Sequence, residues 1–133
     1  MVEILFAIAA MVILISAVSG LTTMIEKMAT EMTMEMQAIT IAEEGVQASI
    51  SIGDRAFSAL AIGAHGLAIS ATSPIMYIYS GASDTANGFT RTITISSVDA
   101  DTVKVDVTVT WHPEPNRTAT VQEQILLTDW AFI

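Results

Sequence analysis

The side chains able to do chemistry in this chain are few, and their spacing argues against catalysis. His65 lies in a glycine-flanked stretch and His112 sits beside Pro113; they belong to different elements, with no ligand cluster near either. Asp99 and Asp101 could grip calcium, but acids flanking a small residue are more simply turn chemistry. Glu43 and Glu44 are adjacent on a helix and diverge by about 100°, which makes a solvated face rather than a catalytic dyad. Asn116-Arg117-Thr118 has the N-glycosylation pattern and reads as a loop asparagine. Met24, Met28, Met32, Met34 and Met36 fit flexible packing against neighbouring helices better than a copper-binding surface. Trp111, Trp130 and Phe132 could form an adhesive patch. Trp111 falls in the inward register of a strand, which leaves the apolar run Trp130-Ala131-Phe132-Ile133 to dock elsewhere. There is no phosphate loop, no Gly-x-Ser-x-Gly elbow and no His-Glu-x-x-His helix. The expectation is a non-enzymatic protein with no metal and no cofactor.

Composition points the same way. Of 133 residues, 52% are hydrophobic and 14% charged, too apolar for an ordinary soluble domain and too polar for several membrane spans. The average hides a lipid-like first stretch followed by globular sequence. The formal net charge is -9, and the cations Lys27, Arg55, Arg91, Lys104 and Arg117 are scattered. No basic stripe exists to track phosphates, so no direct nucleic-acid site is expected. The absence of cysteine removes disulfides, thiolate catalysis and Cys-based metal sites together.

The elements that would position these residues begin with the apolar run 4–18, interrupted only by Ser16. A bilayer-spanning helix needs about 20 apolar residues, which the small or weakly polar residues up to Met24 supply. Three readings compete. A signal peptide would carry a basic residue ahead of the run, where Glu3 stands instead. A plain anchor leaves that carboxylate near the bilayer edge wanting a partner. A buried core helix would be apolar all round in a very small protein. Beyond Gly20 the helical pattern continues: Leu21, Ile25, Met28, Met32, Met36, Ile39, Val46 and Ile50 recur at three-, four- and seven-residue spacings. Glu26, Glu31, Glu35, Glu43 and Glu44 lie off that stripe, and Lys27 can pair with Glu31 one turn on. The sum is one helix of about 50 residues, roughly 75 Å long. Its weak points are Gly20 and Gly45, each costing about 1 kcal/mol relative to Ala. Gly20, with Ser16, Ser19, Thr22 and Thr23 around it, marks where the helix could stretch or melt, or else where another helix comes close.

Met1-Val2-Glu3-Ile4-Leu5-Phe6-Ala7-Ile8-Ala9 resembles the start of a mature type IV pilin or pseudopilin, and 42–48 through 54–57 resembles the helix end of some prepilin-type proteins. The resemblance implies a leader removed by a prepilin peptidase, N-terminal methylation, and a glutamate that pairs with the terminal amine of a neighbouring subunit; Glu3 is the matching position. The family's glutamate is usually fifth in the mature chain, which implies two residues ahead of Met1. It also implies assembly through Glu3, Ile4, Leu5, Phe6, Ile8, Val12 and Ile15, with Ser19 and Gly20 as the point of helix flexibility. Partners would be identical subunits, the cytoplasmic membrane before assembly, and the pilus assembly machinery. The location would be a cell-surface filament serving adhesion or motility.

The head reads as follows. Gly53 can cap the helix and Asp54 can start a turn or short helix through Leu60. Gly63-Ala64-His65-Gly66 is a loop, 67–70 and 75–79 are irregular strands, and 80–88 is an exposed loop. Phe89 to Ser97 is a strand; Asp99-Ala100-Asp101 turns the chain. Val103, Val105, Val107, Val109 and Trp111 then face one way, with Lys104, Asp106, Thr108 and Thr110 opposite, a half-buried strand. Pro113-Glu114-Pro115-Asn116 connects to a last strand, 118–128, with Ile125 and Leu127 inward. The expected fold is α+β: a long N-terminal helix over about residues 1–52 packed on a small antiparallel sheet. Residues 1–24 would serve membrane and filament core. Residues 25–133 would form the head: amphipathic helix 25–52, loop region 53–88, strands 89–128 and a C-terminal tail. A minor pilin or secretion pseudopilin has the same shape; a monomeric membrane-anchored binding module is the alternative of another class.

Overall fold

The computed structural model describes residues 2–71 and 74–129. One helix, α1 (Val2–Arg55), is followed by a 3-10 turn (Phe57–Ala59) and seven strands: β1 (Gly63–His65), β2 (Leu67–Ile69), β3 (Tyr77–Tyr79), β4 (Asp84–Ala86), β5 (Phe89–Ser97), β6 (Thr102–Glu114) and β7 (Arg117–Thr128). The class is α+β, with the long N-terminal helix expected. The chain divides into two units, Met1–Met34 and Glu35–Ile133.

In the first unit the described residues are helical and lack a proline or any other break, and all but Glu31 and Met34 are exposed. Several of its hydroxyls bond back within the helix: Ser16, Thr22 and Thr23 donate to the carbonyls of Val12, Val18 and Ser19 at 2.8, 3.0 and 2.9 Å. Such back-bonding lets polar side chains sit in apolar surroundings without water. Gly20 is helical, and a Cβ built on it would meet nothing within 4 Å.

The second unit is a sheet in the order β1-β5-β6-β7, with β4 pairing the same edge of β5 as β1, and a separate β2–β3 pair. All pairings are antiparallel. The alternation in β6 is as expected: Val103, Val105, Val107, Val109 and Trp111 are buried, and Phe89 meets Trp111 ring to ring at 5.7 Å. Ile125 and Leu127 lie on the inner, half-buried side of β7. Each fully buried Val or Ile contributes about 1.5–3 kcal/mol. On β6 the opposite face carries Asp106, which accepts from Lys104 at 2.8 Å and from Gln122 at 2.9 Å. The Lys104 bond, ahead of those from Gln122 and Gln124, holds the Asp106 carboxyl below its ordinary range.

The helix face that covers the sheet differs from the stripe of large residues. Ala38, Ala42, Gly45, Val46, Ala48, Ser49 and Ile52 are buried, whereas Met36 is 69% exposed. Close approach decides this: a Cβ on Gly45 would lie 2.9 Å from Val107 Cγ1 and 3.2 Å from Arg91 Cδ. Small residues bring backbone near sheet, so the larger Met36 is turned out.

Several local expectations are corrected. Gly53 does not cap α1, which runs on to Arg55; Arg55 Nε bonds Ser51 O at 3.1 Å, which places a cation in the last turn, where it complements the helix dipole. Residues 63–65 are a strand, registered Gly63↔Ile95 to His65↔Ile93, and His65 Nε2 bonds Ala61 O at 2.7 Å. The 80–88 loop contains β4 and a two-residue Asn87-Gly88 hairpin, both residues at positive φ (53° and 86°), the geometry Asn-Gly favours. Pro113 and Glu114 belong to β6 beyond an irregularity after Trp111, where a missing N–H is tolerated. Asp99 does make a turn, its carboxylate accepting from Asp101 N at 3.1 Å.

Candidate functional site

Two sets of residues stand out, and they differ in kind. The first is the surface of α1. Glu3 lies in the first helical turn, where a carboxylate complements the N-terminal dipole whatever else it does. Ile4, Ile8, Val12 and Ile15 follow at spacings of four, four and three, so they share one face. Leu5, three residues before Ile8, borders that face, whereas Phe6 points elsewhere and is 77% exposed. Ser19 and Gly20 are part of the same unbroken helix. All the expected assembly residues are therefore on one element with their side chains uncovered. The apolar exposure continues past the hydrophobic run through Met24, Ile25, Met28 and Met32 to Met36. The helix is long and apolar enough to cross a membrane.

The second set was not anticipated. Arg91 stands in the inward register of β5, between Phe89 and Ile93, and is 4% exposed. Its Nη2 and Nε bond the two oxygens of Asp84 at 2.7 and 3.1 Å, a bidentate pair. Its Nη1 reaches Glu44 Oε2 at 3.1 Å and Ile41 O at 3.2 Å on α1. Asp84 Oδ1 also accepts from Leu67 N at 2.8 Å, and Glu44 Oε1 from the Tyr77 hydroxyl at 3.2 Å. Burial works against the Arg91 charge, but Asp84 and Glu44 together outweigh it and raise its pKa. The Glu44 carboxylate raises the Tyr77 pKa in turn, while burial is what raises that of Tyr79. Glu44 is thus more than a solvated acid: helix, sheet, β4 and the β2–β3 pair meet through one guanidinium. The signal was available, because a charged residue at an inward position of an alternating strand needs buried partners.

Among the described residues no group of three or more His, Asp or Glu side chains could hold a metal ion. His65 instead stacks on Tyr79, ring centroids 5.0 Å apart. The apolar tail 130–133 lies outside the described residues. No protein-family model matches the chain, and no curated protein or solved structure matches it. The chain has a long apolar N-terminal helix and, within residues 35–133, an antiparallel sheet packed on the C-terminal part of that helix.

Proposed function

We propose that the chain is a structural subunit of a type IV pilus-like extracellular filament, polymerised through the N-terminal part of α1. The observation that carries this reading is the length of uncovered apolar helix. From Ile4 to Met36 is 33 residues, roughly 50 Å. A membrane needs about 20 of them, so an anchor alone would leave Met28, Met32 and Met36 in water. A bundle of copies uses the whole length. In this reading residues 4–18 store the subunit in the membrane before assembly and then form the filament core. Glu3 supplies charge complementarity with the terminal amine of the next copy, and residues 35–133 give the filament its surface. Polymerisation draws on an external assembly machine and the chain performs no catalysis of its own. Ser19 and Gly20 are where the helix adapts on assembly. A minor pilin or secretion pseudopilin would use the same surfaces in a shorter polymer.

The membrane-crossing potential of α1 also fits a monomeric anchored module. Electron microscopy of material sheared from producing cells, with mass spectrometry of the same fraction, separates the two. Filaments made mainly of this chain, with a processed terminus ahead of Glu3, are expected. A chain found only in membranes, with no polymer, would overturn the proposal in favour of the anchored module. Within it, Glu3→Lys should leave the monomer in the membrane and cut filament yield, and normal filaments from that variant would remove Glu3 from the mechanism.

A further inference from the structure

The β2–β3 pair carries apolar side chains that the described residues leave uncovered. Ile69 on β2 is exposed, and Ile75, two residues ahead of β3, is 80% exposed. Beside them lies a groove of about 490 Å³ lined by Ser51, Arg55, Ile69, Ile75, Met76 and Tyr77. One wall is a cation with neutral partners only: Arg55 donates to Ser51 O at 3.1 Å and to Tyr77 O at 2.6 Å. Among the described residues no carboxylate lies within ion-pair distance of it. The helix C-terminus explains why a cation stands there. It does not explain an apolar floor next to that cation in a chain of net charge -9.

A complementary surface exists further up α1. Met28, Met32 and Met36 are exposed along one side of the helix. Glu35, also exposed, projects close to that side at 3.6 residues per turn and has no ion-pair partner among the described residues. Unbranched thioethers mould to an irregular apolar floor, and one opposite-charge pair fixes the register of such a contact. Resting on the filament reading above, we infer that the groove of one copy receives the Met28–Met36 side of a second copy's helix, with the second copy's Glu35 paired to Arg55. This assigns a head-to-helix contact between copies to named residues, and it gives the exposed methionines an occupant.

Charge reversal tests it in the full-length protein. Arg55→Glu and Glu35→Arg should each lower the yield of sheared filament about tenfold, since like charges at a contact cost more than 1.4 kcal/mol. The double variant should recover most of that yield. Because Arg55→Glu also removes the bond to Tyr77 O, a second measurement is independent of it. The chain has no cysteine, so Met32→Cys combined with Ile75→Cys should give a disulfide ladder of dimers and higher species on oxidation of assembled material. Single reversals that assemble like wild type, a double no better than the singles, or monomer alone after oxidation would overturn the contact while wild-type filaments kept the filament reading intact. Absence of any wild-type polymer would sink that reading and the contact with it.

Discussion

Residues 2–34 and 35–55 belong to one helix and follow opposite rules. In the first part large apolar side chains stand outward on every side, Phe6, Leu14 and Met32 among them. In the second part most buried positions are small, with Ala38, Ala42 and Ala48 fully covered and Met36 left outside, although Val46 and Ile52 are buried too. Hydrophobicity therefore does not by itself say which face of a helix meets its own sheet. Size does, because the backbone of α1 comes so near β6 that Gly45 has no room for a methyl against Val107. The first part is shaped for surroundings that the second part excludes.

The sharpest way to break the contrast is to remove what ties the second part to the sheet. Arg91→Ala leaves Asp84, largely buried, without its counter-charge, and Glu44 without its bond to the strand. The expected loss is about 3–5 kcal/mol, nearly all from the Asp84 side, since the Glu44 carboxylate is 44% exposed and screened. Glu44→Gln should accordingly cost under about 1 kcal/mol. Unfolding of the detergent-solubilised chain followed by tryptophan fluorescence in a Trp130→Phe background, which leaves Trp111 as the reporter, reads both. A mild Arg91→Ala would mean that small-residue packing alone fixes the helix on the sheet.

Next in size is a pair of identical substitutions at the two glycines. Gly45→Leu must displace Val107 or Arg91, and overpacking of this kind costs about 1–3 kcal/mol. Gly20→Leu meets open space and should leave unfolding of the sheet unchanged. Equal effects at the two positions would contradict the division of the helix into covered and uncovered parts.

Much of this was legible in the residues. The period of two from Val103 to Trp111 is a strand whatever surrounds it, and 54 helical residues without proline leave little alternative to a single helix. Three features were harder to read, for different reasons. The Asn87-Gly88 turn was legible as a hairpin, but β4 ahead of it has only three residues and carries almost no alternation to support it. The buried side of α1 was masked because alanine, glycine and serine give a faint hydrophobic pattern beside methionine and isoleucine. Arg91 looked like one more scattered cation until its register placed it between Phe89 and Ile93, and its partners come from residues 41, 44 and 84, which no local pattern links. The exposed apolar run that begins at Ile4 was the easiest part to read, because a continuous apolar stretch declares itself in the local residues without any long-range partner.

The smallest effect is the most informative about the first part. Gly20→Ala should add about 1 kcal/mol to the helical state, since the new methyl meets nothing and the unfolded backbone loses freedom. Hydrogen exchange in detergent micelles should then slow about fivefold for amides around residues 16–24, the factor that such an energy implies. Amides of β5 and β6 should not respond. If Gly20 is where the helix adapts on assembly, the same variant should assemble less readily although its monomer is better ordered, a combination that ordinary stabilisation does not produce. Slower exchange with undiminished filament yield would leave Gly20 as a tolerated glycine, and the uncovered half of α1 would then enter the polymer as a rigid rod.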